Sequence, residues 1–263
     1  MNSVGVVGLG HVGRNVVERL TAVGVDVVSY DRQSGAEYPE ARLAQCSFLV
    51  VCVGTPGLPD GRPDLEDVYD AVTLAPCRRI LLRSTVPPGT TDALAKETGK
   101  DVCFSPEYFG ETVFSQNRWQ RWAGDDLFQV LGGPAEVTSW FAGALTSIYG
   151  PEPRMFQCTA TEAEIAKYLE NSYFAVKVTF VNEFYELCLR AGADWHTVRE
   201  AWLLDPRVER DHTAVFAESR GFGGRCLPKD VDAILEVADE LGVDLSVLRA
   251  TRDANAKYLD RRV

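Results

Sequence analysis

Short apolar, β-branched runs alternate with stretches of helical periodicity through the first 150 residues. "SVGVVG", "VDVVSY", "SFLVVCVG", "RILLRS", "DVCFS" and "FQVLGG" read as buried strands. Between them, "HVGRNVVERLTAVG", "DLEDVYDAVTLA" and "TTDALAKETG" read as helices. Such alternation implies βαβ units and a mostly parallel sheet. From about Thr159 the pattern changes. "TEAEIAKYLENSYFAVKVTFVNEFYELCLRAG" carries no Gly or Pro until its end, which predicts one helix of about 45 Å. "DWHTVREAWLL", the segment after Cys226 and "SVLRATRDANAKYLDRR" continue with helical spacing. The predicted fold is α/β: a Rossmann-like, doubly wound, mostly parallel sheet over 1–156, then a smaller all-α domain over 157–263 with one long central helix.

Composition narrows the function without deciding it. A chain of 263 residues, 46% apolar and 25% charged, is ordinary for a soluble protein with an ample core. Its net charge of −11 argues against sequence-independent binding to nucleic acid or anionic membrane. An anionic substrate would need a local basic pocket. Seven cysteines, an odd number with no CxxC pair, suggest neither a disulfide framework nor a zinc site and point to reducing cytoplasm. "MNSVGVVGLG" passes directly into a strand and a glycine turn, so no signal peptide is expected. The longest apolar stretch, around 172–182, is interrupted by Lys177 and is too short for a bilayer span.

"GVVGLGHVGRNVVERL" places Gly8, Gly10 and Gly13 as G-x-G-x-x-G between a strand and a helix. The first glycine makes the tight turn, the second lets a pyrophosphate approach the backbone, and the third lets helix pack on sheet. His11 and Val12 open the helix whose N-terminus then faces the phosphates. The second strand ends in Asp31, 18 residues after Gly13, where a carboxylate can bind both ribose hydroxyls. That acid would repel a 2′-phosphate, which favours NAD over NADP, while neighbouring Arg32 is the side chain that would do the opposite. Two further loops, "VGTPGLPDGRPDL" and "RSTVPPGTT", fall at carboxyl ends of strands, where Thr55, Ser84 and Thr85 could reach the cofactor. For Ser84, capping of the next helix is an equal alternative.

Three groups carry candidate chemistry. Lys167 and Asn171 stand four apart on one face of the long helix, either as its solvated side or as a functional pair. Lysine is scarce here beside arginine, and a compact ammonium suits an alkoxide or oxyanion. Glu107 and Glu111 in "SPEYFGE" could activate water, contact the cofactor, or form loop surface. In "GFGGRCLPKD", Cys226 lies at or just before a helix N-terminus, with Pro228 suited to the first helical position and Lys229 about one turn on. Helix dipole and cation both favour a thiolate. A small hydrophobe in a loop is the competing account of Cys226.

Taken in order, "GLGHVG", "VGTP", "STVPPGTT", "SPE", "KYLENSYFAVKVTFVNEF", "DPRV" and "GFGGRCLPKD" resemble the UDP-glucose/GDP-mannose 6-dehydrogenase family along nearly the whole chain. The last motif is very specific. The resemblance implies NAD-dependent oxidation of a primary alcohol to a carboxylate, by two hydride transfers through a covalent cysteine intermediate. The substrate implied is a sugar or nucleotide sugar such as UDP-glucose. By position, Cys226 matches the nucleophile, and Lys167 and Asn171 the residues that hold the substrate oxygen and a water. Asp230 and Glu107 match the acids for water activation and thioester hydrolysis. Glu111 and Lys229 match cofactor-side and active-site contacts, and Phe222 and Gly223 the substrate loop. Arg207 matches an arginine that reaches the neighbouring subunit's sugar, and the long helix matches a homodimer interface. Family members carry a third, C-terminal domain that closes over the site, and this chain is expected to be a short form that stops at the connecting helix "RDANAKYLDRRV". Arg225 stands where the family has a small serine, and "TVFSQNRWQRWAGDD" departs from its substrate loop. Alternatives are a dehydrogenase of a smaller hydroxylated substrate, one that stops at the aldehyde, and a cofactor-binding subunit that needs a partner.

Overall fold

The computed structural model describes residues 3–108 and 128–259; the candidate Glu111 lies outside them. The chain forms two compact units, 1–56 with 63–167 and 57–62 with 168–263. The division falls inside the long helix rather than between 156 and 157, and a short piece of the loop after the third strand groups with the second unit.

In the first unit, seven strands form one sheet in the order β2-β1-β3-β4-β5-β6-β7. They are β1 (Val4–Val7), β2 (Val27–Tyr30), β3 (Leu49–Val51), β4 (Arg79–Leu82), β5 (Asp101–Phe104), β6 (Phe128–Gly132) and β7 (Arg154–Cys158). Neighbours run parallel except β5 and β6, which meet antiparallel at Phe104 and Gly132. Alternate residues feed two cores, as a period of two requires. Val4, Val6, Val50, Leu81 and Cys103 pack with Val16 and Leu20 of α1 (His11–Ala22) and with Phe141 and Leu145 of α5 (Ala135–Tyr149). Val7, Leu49, Val51, Ile80 and Leu82 pack on the other face with Val68 and Val72 of α3 (Glu66–Thr73) and Leu94 of α4 (Thr90–Thr98). Helices on both faces of a mostly parallel sheet make this a doubly wound fold.

Among the described residues the unpredicted elements include α2 (Glu40–Leu43), α5 and β7, besides a short 3-10 turn at Arg32–Ser34. The first is a single turn. Helix α5 mixes apolar residues with Ser, Thr and Gly all round, so its period is faint. Strand β7 is a largely exposed edge, "RMFQC", with no apolar run. Strand β2 corrects an expectation in the other direction: it is the opposite edge, with only Val28 fully buried, not an interior strand.

The second unit contains most of α6 (Ala160–Ala191), then α7 (Trp195–Trp202), α8 (Leu227–Glu240) and α9 (Ser246–Leu259). Ala175, Phe222, Val231, Leu235 and Leu248 form its main core, and Val181, Cys188, Trp195 and Val215 a second. Asp194 caps α7 by accepting from the Thr197 N–H at 2.8 Å. No helix among the described residues is long and apolar enough to cross a membrane.

Helix α6 is inverted relative to an ordinary amphipathic helix. Glu164, Lys167, Asn171, Thr179 and Asn182 are buried, while Ile165, Leu169, Tyr173, Phe180, Phe184 and Leu187 are exposed. Polar residues therefore occupy the interior stripe. The solvated-face account of Lys167 and Asn171 is overturned, since they are only 5% and 7% exposed. Phe174 needs no outside partner, because its ring stacks on His212 at 4.0 Å.

Candidate functional site

Connections from β1 lead to β2 on one side and, through β2, to β3 on the other, so the strand order reverses between β1 and β3. Ligands of open α/β sheets bind at the carboxyl ends of the strands at such a reversal. Gly8 follows β1 there with φ +89°, and a Cβ on it would lie 2.7 Å from the Cys52 carbonyl. A Cβ on Gly13 would run into the Gly8 carbonyl oxygen, whereas one on Gly10 would meet no protein atom. Packing explains the first and third glycines but not the second. The open face at Gly10 is where close approach of a pyrophosphate requires it.

Helix α1 begins at His11 with no acidic residue in its first turn, which suits an anion at its N-terminus. His11 Nε2 is buried there without a hydrogen-bond partner. Val12 is half-buried beside it and packs on the core. Asp31, just beyond β2, accepts from the Leu9 N–H at 2.6 Å and the Gln33 N–H at 2.8 Å. Its carboxylate is thereby tied to the glycine turn. Arg32 points to acids instead: it is paired with Asp67 and lies 3.7 Å from Asp70. At the ends of β3 and β4, Thr55 Oγ1 donates to the Thr85 carbonyl at 3.1 Å and Ser84 Oγ to the Val53 carbonyl at 2.7 Å. These bonds lock the two loops together. The residues fit a dinucleotide.

After β5, Glu107 Oε1 lies 4.0 Å from Lys167 Nζ, and the Lys167 ammonium sits 5.0 Å from the Tyr108 ring centroid. Glu164, one turn earlier on α6, is fully buried and accepts from Gly89 N, Thr91 N and Thr91 Oγ1, at 2.6, 2.8 and 2.6 Å. It caps α4 and fixes the loop that carries Ser84 and Thr85. Desolvation by burial is the larger influence on its carboxyl and raises its pKa, against the pull of those three donors.

In the second unit, Cys226 is the N-cap residue of α8, with Leu227 first in the helix and Pro228 second, one place later than expected. Asp230 N–H bonds the Cys226 carbonyl at 2.9 Å, closing the first turn. Asp230 is 1% exposed; Asn171 Nδ2 donates to its Oδ2 at 2.5 Å and Lys229 Nζ to its Oδ1 at 2.5 Å. Three of the candidates thus form one buried cluster in the turn that Cys226 opens.

Arg207 is exposed and its guanidinium grips Asp205, Nε to Oδ1 at 2.9 Å. Gly223 is half-buried in the loop before α8. The Phe222 ring is buried in the core of the second unit, and its backbone N–H and C=O both bond Asn255. Ring and backbone of Phe222 thus anchor the loop before α8. The seven cysteines, all among the described residues, form no disulfide.

The central domain of the UDP-glucose/GDP-mannose dehydrogenase family matches residues 161–257. Residues 1–53 match the NAD binding domain of the D-isomer specific 2-hydroxyacid dehydrogenases. UDP-glucose 6-dehydrogenase YwqF of Bacillus subtilis is 29% identical to this chain over 230 residues, 82% of this chain and 50% of that one. UDP-glucose 6-dehydrogenase of Pseudomonas aeruginosa is 30% identical over 229 residues, again 82% of this chain and 49% of that one. The solved UDP-glucose dehydrogenase of the archaeon Pyrobaculum islandicum superposes with a TM-score of 0.81 at 28% identity, covering 98% of this chain and 68% of that one. The chain spans about half the length of the curated relatives it matches.

Residues outside the sequence-derived set also emerge: Glu164, Asn182, Arg220 and Asn255. For Glu164, Asn182 and Asn255 the signal was present as polar residues at interior positions of a helical stripe, whereas Arg220 lies in the loop before α8. Leu248, Thr251, Asn255 and Tyr258, for example, are the buried residues of α9.

Proposed function

We propose that the protein oxidises a primary alcohol of a nucleotide sugar, such as the C6 hydroxyl of UDP-glucose, to the carboxylate. NAD, when bound at the glycine turn, takes up the hydride in each of the two oxidations. The observation that carries this proposal is the buried Asn171–Asp230–Lys229 cluster in the first turn of the helix that Cys226 opens. A thiol at a helix N-terminus, with an ammonium close by in sequence, is set for nucleophilic work.

In this reading the alcohol loses its hydroxyl proton and a hydride to give the aldehyde. The Cys226 sulfur then adds to the aldehyde carbon, its proton ends on the oxygen, and a thiohemiacetal forms. Loss of a second hydride and a proton gives a thioester. Water attacks that carbonyl, the C–S bond breaks, and the carboxylate leaves with the thiol restored. Lys167 and Asn171 hold the substrate oxygen and the water, with the ammonium stabilising negative charge as it develops. Asp230 and Glu107 accept the proton of the water. Glu111 and Lys229 contact the cofactor side, and Gly223 lets substrate pass close to the backbone.

The working form is a cytoplasmic homodimer. Ile165, Leu169, Tyr173, Phe180, Phe184 and Leu187 on α6 support this, since large apolar side chains left exposed along one helix mark an interaction face. Arg207 reaches the partner's substrate. The partners of the reaction are small molecules, not nucleic acid or membrane.

NADH formed per substrate consumed, with mass spectrometry of the product, tests the chemistry. Two NADH and a carboxylate are expected from UDP-glucose with the unaltered protein. Cys226→Ala should lose acid formation while keeping its NAD affinity. Undiminished acid production by that variant would sink the proposal.

A further inference from the structure

The glycine loop before α8 is held by two buried asparagines of the same unit. Asn255 on α9 is 3% exposed, and its amide forms a closed pair with one residue: Phe222 N–H donates to Oδ1 at 2.7 Å, and Nδ2 donates to the Phe222 carbonyl at 2.8 Å. Asn182 on α6 holds the preceding residues. Its Oδ1 accepts from Arg220 Nε at 2.5 Å and from Gly221 N–H at 3.3 Å, and its carbonyl accepts from the Arg220 guanidinium at 2.8 Å. The Arg220 guanidinium is also sandwiched between the rings of Tyr185 and Tyr258, at 4.6 and 4.8 Å from their centroids.

Gly221 shows how tightly the clamp is drawn. Its φ is +69°, a left-handed conformation that glycine tolerates, and a Cβ there would run into Oδ1 of Asn255. Beyond Phe222 come Gly223, Gly224 and Arg225, and then the N-cap Cys226. Two glycines in a row give a loop that cannot hold its own shape. Phe222 is the clamped residue nearest before Cys226, and the three residues between them start from where it is held. A fully satisfied buried amide pair is the kind of contact that specifies one geometry.

We propose that Asn255 is a positioning residue for Cys226: by holding both backbone groups of Phe222 it sets the loop, and so the thiol's place at the helix N-terminus. The proposal rests on the reading of Cys226 as the nucleophile. A merely structural role for Asn255 would lower stability without altering the chemistry of one particular thiol.

Iodoacetamide labelling of the full chain, followed cysteine by cysteine with mass spectrometry across a pH range, separates these. Cys158, half-buried in the first unit, is the internal reference, and buried Cys188 reports general loosening. In Asn255→Ala, Cys226 labelling should slow roughly three- to tenfold at neutral pH and its profile should move to higher pH, as loss of a helix N-terminal interaction requires. Cys158 and Cys188 should keep their rates. A Cys226 profile within twofold of the unaltered chain would overturn the proposal. If Asn255→Ala does not fold, Asn255→Asp decides: it keeps the acceptor for Phe222 N–H but loses the donor, and an unaltered Cys226 rate again overturns it. Should neither fold, hydrogen exchange of the unaltered chain decides, because an unprotected Phe222 amide is incompatible with the clamp. Labelling needs neither NAD nor substrate. Failure of the proposed reaction would appear separately, as acid formation surviving Cys226→Ala while the labelling shift persists.

Discussion

Asn171 on α6 and Asp230 on α8 are joined by a 2.5 Å hydrogen bond between side chains 7% and 1% exposed. The carboxylate lies in the first turn of α8, where the helix dipole favours negative charge, and Lys229 neutralises its other oxygen. A buried charge held this way is costly to expose and more costly to leave uncompensated. Asp230→Asn should therefore destabilise the protein by about 3 kcal/mol in urea unfolding, since it removes the charge opposite Lys229. Lys229→Met should cost at least as much, because it leaves the more deeply buried carboxylate of Asp230 without its cation. The double variant should be less unstable than the sum of the two singles. Additivity within about 0.5 kcal/mol would show that the two residues do not act as a pair.

Cofactor choice follows from Asp31 and Arg32. Asp31 is held by two backbone N–H groups at the end of β2, whereas Arg32 is turned to Asp67 and Asp70. NADP should bind at least about tenfold more weakly than NAD, a difference of ~1.4 kcal/mol or more. Arg32→Ala should leave that ratio almost unchanged. Isothermal calorimetry with both cofactors checks it, and equal affinities would remove Asp31 from its proposed role and transfer the decision to Arg32.

The apolar stripe of α6 predicts self-association. Leu169 is 67% exposed and Leu187 59%, and covering such a side chain is worth about 2 kcal/mol. Sedimentation should find a dimer at micromolar concentration, and Leu169→Asp should shift it to monomer without loss of helix content. A monomeric unaltered protein would contradict the proposed interface and the cross-subunit role of Arg207 with it.

What the sequence made legible was whatever period and spacing can carry. Gly8, Gly10, Gly13 and Asp31 are local signals, readable because glycine turns and strand ends have fixed chemistry. The sheet was legible where its strands are buried on both faces, and β7 was missed because an exposed edge has no apolar run. Helix α6 was found, but not which of its faces is inside. Period alone places Lys167 and Asn171 on one side, and only packing shows that this side is the interior. The clamp at Asn255 joins residues 33 positions apart, a relation of tertiary structure. Its trace in sequence is one asparagine among the buried positions of α9.

The last prediction concerns His212, the one residue other than glycine with positive φ among the described residues, at +60°. Its ring is stacked on Phe174 at 4.0 Å with an interplanar angle of 12°. Burial is the main cause of a pKa below the ordinary 6.5, the Lys177 ammonium lowers it further, and Asp211 opposes both. The folded state therefore takes up this proton less readily than the unfolded one. The neutral ring's contribution to stability is present above the unfolded pKa of 6.5 and is lost as pH falls through the lower, folded value. His212 is exposed apart from the ring face that lies on Phe174, so solvent screening keeps the loss well below the limiting ~1.4 kcal/mol per pH unit. His212→Asn removes the titration and keeps a side chain that tolerates left-handed backbone. Urea midpoints at several values between pH 7.5 and 5 should fall more steeply for the unaltered protein than for the variant. Subtracting one series from the other cancels the carboxylates common to both. Parallel series would mean that the imidazole is as easily protonated in the folded chain as in the unfolded one, and the stack on Phe174 would then not be what excludes the proton.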